Sequence, residues 1–525
     1  MKKILSLVLS GLFCLTAVGC NVGGTGESES SLSAPNSVEE VTIPTGYTRY
    51  DVGEWNNRTL LGFGGQLDTH IYKGDFANFD GFSEDELTEL YKRCKEMNLQ
   101  NIRTQIFPEW YERANDNGDY NSFDYNGTGV DFNSIEMQQL YRLLDFCEEN
   151  NVSVDLSFYG CCAIYASQDG KINGSWLGAK FTNSWTTAPK TVDENGNPFP
   201  GYEEYAESVY GCLNYILNVK NYTCVNEFSI YPEPNLSFVQ GDGTNSFTGF
   251  IKLCKMVDAK LKAEGIRDQI EFSGPADAST TVANYYKYLS ELDGVLDRAT
   301  VSTYRFEETT SNSIFYDYAS AMVEGCDEFD VPWGLAEFGT VNTYEGDEEY
   351  YIHMDSYNRA MFMARYMINL FNAGCTNMKV WTLNDVNYGG YVMAMGLWKF
   401  RDENWEARPA YYSWSLITKY TDKGAKIYPI TSKDENVCMI AFELPDGSWS
   451  YMMANDSTDA KKVSIVNAAK NTPDEMSLYL VSESNIPVTR EVKPLTSLLT
   501  LEKEDGAYNV EIPANSFIVI SDKAA

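Results

Sequence analysis

Histidine is almost missing from this chain, with His70 and His353 the two in 525 residues. A zinc site built on several histidines is thereby excluded, and any Ser-His-Asp or Cys-His relay would have to use one of these two. Positive charge is scarce as well. Forty Lys and Arg stand against 75 Asp and Glu, a formal charge of −35, which does not suit nucleic acid, where cations must displace phosphate counterions. No GxGxxG or P-loop follows any strand-like run, and no CxxC pair occurs. Beyond the first twenty residues no segment has the uninterrupted apolar length of a membrane span. What remains is carboxylate and aromatic: Phe, Tyr and Trp make up 14% of the chain, with 36 Tyr and 10 Trp. By elimination, carboxylates are the source of any acid, base or nucleophile.

Residues 1–20, MKKILSLVLSGLFCLTAVGC, pair two lysines with an apolar run and end on small residues, the pattern of a secretory signal. Ala17-Val18-Gly19-Cys20 resembles a bacterial lipobox, in which the cysteine is lipidated, so the expectation is an exported protein lipid-anchored at Cys20 on a cell surface or the outer face of a bacterial membrane. Residues 21–45 are rich in Gly, Ser, Glu and Pro and read as a flexible tether, whose coil would reach roughly 28 Å. Ten of the twelve cysteines follow Cys20. Cys94, Cys147, Cys212, Cys254 and Cys326 fall in helix-like patterns, and buried free thiols are expected for most of the ten. Neighbouring Cys161 and Cys162 suit packing better than a metal, because successive strand side chains point to opposite faces.

From about residue 58 short β-rich runs alternate with longer amphipathic ones. Strands are predicted at 60–66, 101–107, 152–159, 225–231, 269–273, 300–306, 333–337 and 378–383. Between them Ser83 and Glu86 form a capping box, followed by Leu87, Leu90, Tyr91, Cys94 and Met97 on one helical face. Eight strand and helix units predict a (β/α)₈ barrel over residues 46–424. From about 425 the helices stop, and short alternating runs predict a β-sandwich accessory domain over 425–525. Two long loops, 160–200 with Trp176 and Trp185 and 384–408 with Tyr388, Tyr391, Trp398 and Trp405, are candidates to shape a cleft. Asn115 to Asp119 has a hint of a calcium loop but lacks the terminal Glu and reads as an ordinary turn, so no metal is expected.

Such barrels form their sites at the C-terminal ends of the strands. Those ends carry Gln66, Arg103, Tyr159, Glu233, Tyr304, Glu337 and Trp381. Glu233 lies in Ile230-Tyr231-Pro232-Glu233-Pro234-Asn235, with a proline on each side to restrict the backbone. Glu337 ends the apolar run Trp333-Gly334-Leu335-Ala336-Glu337. The fourth and seventh strands face each other across the mouth, so the two carboxylates can flank a cleft. That is the equipment of glycoside hydrolysis, and a separation of about 5–5.5 Å would make one of them a nucleophile. Glu227, preceded by Asn226, is the nearest rival to Glu233, but it is placed near the start of its strand, on the stability face.

IYPEPN followed by WGLAEFG, with Arg103 on the second strand, Tyr304 on the sixth and Trp381 on the eighth, resembles clan A of the retaining glycoside hydrolases, the cellulase-like (β/α)₈ enzymes. The resemblance covers about residues 46–425. It implies Glu233 as acid/base, Glu337 as nucleophile, Arg103 and Tyr304 as partners of the nucleophile, and Trp381 as the floor of the subsite before the cleaved bond. One position departs from that pattern. Where these enzymes usually carry an Asn that binds the sugar 2-hydroxyl, this chain has Pro232, which has no side-chain donor.

The expectation is therefore a retaining glycosidase for a β-linked glycan, acting through a covalent glycosyl-enzyme, as a monomer and without a cofactor. Gln66, Tyr159, Asn235 and Trp398 are the further candidates for substrate binding or support. Its rivals are a non-catalytic carbohydrate-binding surface lipoprotein on a degenerate barrel, favoured by Pro232, and an unrelated barrel enzyme using the same carboxylates for another proton transfer. His70 follows the first strand end as a loop histidine or substrate contact, and His353 lies in a helix.

Overall fold

The computed structural model describes residues 41–72, 81–159, 201–237, 246–278, 280–340, 353–387, 392–399, 401–469, 471–487 and 492–524. The signal-like segment, Cys20, most of the tether, Cys161, Cys162, Trp176, Trp185, Tyr388 and Tyr391 lie outside the described residues, as does the side chain of His70. His353 is exposed. Among the described residues no helix is long and apolar enough to cross a membrane.

Eight parallel strands close into a barrel in chain order: β2 (Gly62–Gln66), β3 (Asn101–Ile106), β4 (Ser153–Phe158), β5 (Val225–Ser229), β6 (Glu271–Ala278), β7 (Arg298–Thr303), β8 (Trp333–Phe338) and β9 (Asn377–Val380). Almost every residue in them is buried. That is why they read as continuous apolar runs: strands covered on both faces leave no alternation. Their helices are α1 (Glu84–Glu96), α2 (Ile135–Glu149), α3 (Gly201–Asn214), the short α4 (Pro234–Ser237), α5 (Ser246–Ala263), α6 (Val282–Glu291), α7 (Asn312–Asp327), α8 (Tyr357–Asn372) and α9 (Pro409–Lys419). The capping box that opens α1 is complete. Ser83 N donates to Glu86 Oε2 at 2.7 Å, and Glu86 N donates to Ser83 Oγ at 3.3 Å, worth about 1 kcal/mol to that helix end.

A two-residue ribbon, β10 (Val386–Asn387) with β11 (Val392–Met393), follows the barrel. The second sheet has nine mostly antiparallel strands. In chain order they are β1 (Thr48–Asp51), β12 (Lys426–Ile430), β13 (Val437–Glu443), β14 (Trp449–Asn455), β15 (Lys461–Val466), β16 (Glu475–Val481), β17 (Leu499–Glu504), β18 (Ala507–Ile512) and β19 (Ser516–Ser521). Tyr50 of β1 and Ile430 of β12, from opposite ends of the sheet, share one core with Trp449, Tyr451 and Tyr508, as the two layers of a sandwich do. The sequence places 46–51 in the barrel; β1 instead pairs in parallel with β15. Local periodicity carries no trace of a partner some four hundred residues away. The other face of β13, β14 and β19 joins the barrel's core through Ile440, Phe442, Met452 and Phe517, which accounts for the burial of α8 on nearly all sides.

Among the described residues Cys94, Cys147, Cys212, Cys224, Cys254, Cys326, Cys375 and Cys438 are free and buried. Burial pushes the thiols of Cys94, Cys375 and Cys438 up to about 12, so they pack as small apolar groups.

Candidate active site

At the C-terminal mouth of the barrel Arg103, Tyr304 and Glu337 come together. Arg103 Nη1 donates to Glu337 Oε1, and the Tyr304 hydroxyl donates to Glu337 Oε2 at 2.9 Å. Each carboxylate oxygen thus has its own donor. Arg103 is wholly buried, and the same Nη1 also reaches the Tyr159 hydroxyl at 3.1 Å and Gln66 Oε1 at 3.3 Å. Gln66 in turn donates to Asp68 Oδ1 at 2.5 Å, which also accepts from the Gln105 amide at 3.2 Å. Gln66 and Tyr159 therefore orient the arginine from behind. Burial first, then the charge of Glu337, holds the Tyr304 phenol far above its usual range, so it stays a neutral donor.

Glu233 takes the other side. Its carboxyl is raised to about 8, by burial first, then by the charge of Glu337, with Asp277 adding and Arg103 opposing. A carboxylic acid raised to about 8 thus stands beside a carboxylate held by Arg and Tyr, two carboxyls set apart by their surroundings. The backbone at Glu233 is in the left-handed region, φ 46°, which for a residue with a Cβ costs on the order of 1 kcal/mol. Three hydrogen bonds to β6 hold it there. Glu233 N donates to Ala276 O at 3.2 Å, Asn235 Nδ2 donates to Ala278 O at 2.9 Å, and Ala278 N donates to Asn235 Oδ1 at 2.9 Å.

Of the two parts expected of it, Asn235 takes the supporting one. Both ends of its amide are engaged with the Ala278 backbone, so it positions the Glu233 loop. Asn235→Ala is expected to lower kcat about tenfold with little change in KM, because misplacing a reacting group by a fraction of an ångström is felt in the transition state; steady-state kinetics on one substrate checks this.

Trp381 lines the mouth beside Tyr304, packed with Met354, Met393 and Met395, and its indole N–H points to the Met393 sulfur at 3.0 Å. Trp398 is a correction. It is wholly buried, edge-on to Tyr411 and under the Arg93 guanidinium, so it presents no face to a ligand. Trp405 is likewise packed against Phe82, with its N–H on Glu86. An aromatic in a long loop reads the same from sequence whether it faces the cleft or the core.

Glu227 is no rival to Glu233. Inside the barrel it pairs with Lys379 Nζ at 2.8 Å and Arg298 Nη1 at 3.0 Å. Burial alone would raise it, but these two cations hold it down at about 2, permanently ionised and unable to serve as an acid. Asp155 completes this layer, 2.7 Å from Lys379 Nζ.

Asp277 escapes the sequence reading, although its charge acts on Glu233 and burial raises its own carboxyl to about 6. The sequence predicts a fifth strand that ends at Ser273. It continues instead through Pro275 and a bulge between Pro275 and Asp277, with Ala276 at φ 53°. The Gly274-Pro275 pair was the available signal, because bulges are a place where strands tolerate proline.

No family model and no curated protein sequence matches this chain. Solved structures do. The catalytic domain of a GH30 xylanase C from Talaromyces cellulolyticus superposes with a TM-score of 0.58 at 13% identity, covering 90% of this chain and 99% of that one. This chain has the fold of a glycoside hydrolase. A GH51 arabinofuranosidase from Xanthomonas axonopodis pv. citri gives 0.57 at 12% identity, covering 90% and 99%. An endo-β1,6-glucanase gives 0.57 at 14%, covering 91% and 95%. Barrel and second sheet are matched together in each, and at these identities it is the fold that is shared.

Proposed function

We propose that this protein is a retaining glycoside hydrolase that cleaves β-glycosidic bonds of a polysaccharide or oligosaccharide by double displacement. The observation that carries the proposal is the division of labour between two neighbouring carboxyls: Glu233 raised to about 8 and Glu337 held by Arg103 and Tyr304. In the first step Glu337 attacks the anomeric carbon while Glu233 gives its proton to the leaving oxygen. In the second, Glu233 takes a proton from a water that displaces Glu337 from the sugar, and both residues return to their starting states. Trp381 offers an apolar face beside the reacting ring. Pro232 supplies no donor to the sugar 2-hydroxyl, so that contact falls to the backbone or to another residue.

The protein is further proposed to be exported and lipid-anchored at Cys20, to work as a monomer, and to carry its sandwich as an accessory domain. Reducing-sugar release from β-glucans, xylans, mannans and galactans tests the activity. At least one is expected to be cleaved by the wild type and left intact by Glu337→Gln. Glycan binding without turnover, unchanged in that variant, would favour the non-catalytic reading to which Pro232 points.

The pH profile follows from the acid. The first step needs Glu233 protonated, so kcat/KM is expected to fall as pH rises through about 8, by tenfold per unit well above it. A rate that stays flat to pH 10 would remove Glu233 from the role.

A further inference from the structure

A second group of acids sits away from these carboxyls and takes no part in the proposed reaction. Glu112 and Asp116 belong to the segment that follows β3, and Glu207 to α3. All three are buried, and one carboxylate oxygen of each lies within 4.8 Å of the others. Glu204, one turn before Glu207, is buried as well. Such a concentration of carboxylates needs compensation, and the protein does not provide it for Glu207. That residue is fully buried, yet neither of its carboxylate oxygens has a hydrogen-bond partner among the described residues. Nor does any Lys or Arg among them pair with it. Lys260, whose charge acts on it, directs its ammonium to Glu264 at 2.9 Å and to the Asn121 carbonyl at 2.8 Å, and Arg113 pairs with Glu136. A carboxylate stripped of water and left without a donor costs several kcal/mol unless it is neutralised or finds a cation.

Asp116, by contrast, is held in place. Its Oδ1 accepts from Asn117 N at 2.6 Å, and its Oδ2 from Asn117 Nδ2 at 3.2 Å and from the Asp124 amide. One acid is thus fixed by its loop while another, on a helix, is bare and points at it.

We propose that Glu112, Asp116 and Glu207, with Glu204 beside them, bind a divalent cation of the calcium class that fastens the loop after β3 onto α3. The donor set is all oxygen, all carboxylate and free of nitrogen and sulfur, which selects a hard cation over zinc or copper. Calcium tolerates irregular carboxylate cages completed by water, whereas magnesium demands a near-ideal octahedron. The segment containing Asp116 reads as an ordinary turn on its own; the ligands from Glu112 and from α3 are distant in sequence and make the difference.

The test uses the full chain, stripped with a chelator and then supplied with Ca²⁺, Mg²⁺ or Mn²⁺. Calcium is expected to raise the melting temperature by about 3 °C or more at saturation and to be retained at one per chain after gel filtration. Glu207→Gln should reverse the order of stability. In chelator it melts at or above the wild type, since a repelling charge is gone; in Ca²⁺ it melts below, and its own response to the ion is lost. If that variant does not fold, Asp116→Asn takes its place in the same comparison. Should the stripped and the Ca²⁺-, Mg²⁺- and Mn²⁺-supplied wild type melt alike with no stoichiometric ion retained, the proposal is overturned. A response that both variants keep in full would equally overturn the assignment to these residues.

Discussion

Glu337→Gln is expected to lower kcat by roughly 10⁴-fold or more on any substrate the wild type cleaves, a loss of about 5 kcal/mol in transition-state stabilisation. The amide is nearly isosteric: its one carbonyl oxygen can still accept from Arg103, and its NH2 can donate to the Tyr304 hydroxyl oxygen, so the site keeps its shape while losing its nucleophile. KM should move little, because ground-state contacts survive. A second effect accompanies the first. The charge of Glu337 is the largest cause after burial of the raised Glu233 carboxyl, so in the variant the Glu233 titration moves down from about 8 toward the ordinary carboxylic range. A nuclear magnetic resonance titration of the labelled Glu side chains reads that shift directly. A variant that lost activity through misfolding would show neither the unchanged KM nor the displaced titration.

Lys379→Met is the most damaging change expected for stability. The Lys379 ammonium is buried between Asp155 at 2.7 Å and Glu227 at 2.8 Å, in the interior of the barrel, where it touches no part of the proposed reaction. Removing it leaves Asp155 and Glu227 facing each other in low dielectric. Arg298 still pairs with Glu227, and the Arg103 Nε lies 3.9 Å from Asp155, but neither replaces the bridge between the two acids. Breaking a buried ion pair from one side typically costs about 3–5 kcal/mol. The cost should also depend on pH in a particular direction. In the variant the stranded carboxylates favour protonation when folded, so their folded pKa values rise above the unfolded ones. The deficit is therefore smallest in acid and grows as pH rises through those values. Chemical denaturation of both proteins at pH 5 and pH 8 measures it. The triple variant Lys379→Met, Asp155→Leu, Glu227→Met, which removes the whole group, should recover much of the loss.

The barrel was legible because its strands are covered on both faces and so spell themselves as apolar runs, and because Ser83 and Glu86 announce a helix start in four residues. The pair Glu233 and Glu337 was legible through topology, since knowing that eight units alternate is enough to say which residues stand at the mouth. What escaped was whatever depends on contacts remote in sequence. The β1 strand finds its partner in β15, across the entire barrel. Asn235 looked like a polar side chain at the mouth, and its engagement with Ala278 required the bulge in β6. Trp398 carried the right chemistry for a sugar and the wrong surroundings. Glu112 and Glu207 are unremarkable acids until the fold brings them to Asp116.

The central claim is that Glu337 becomes covalently bonded to sugar during turnover. Incubation of the protein with activated 2-deoxy-2-fluoro glycosides of the sugars it cleaves, followed by intact-mass and peptide mass spectrometry, tests this most directly. The account predicts a mass increase of one fluoroglycosyl unit, located on the peptide that contains Glu337 and missing from Glu337→Gln. Steady turnover of the natural glycan with no adduct under these conditions, or an adduct on a different residue, would contradict it.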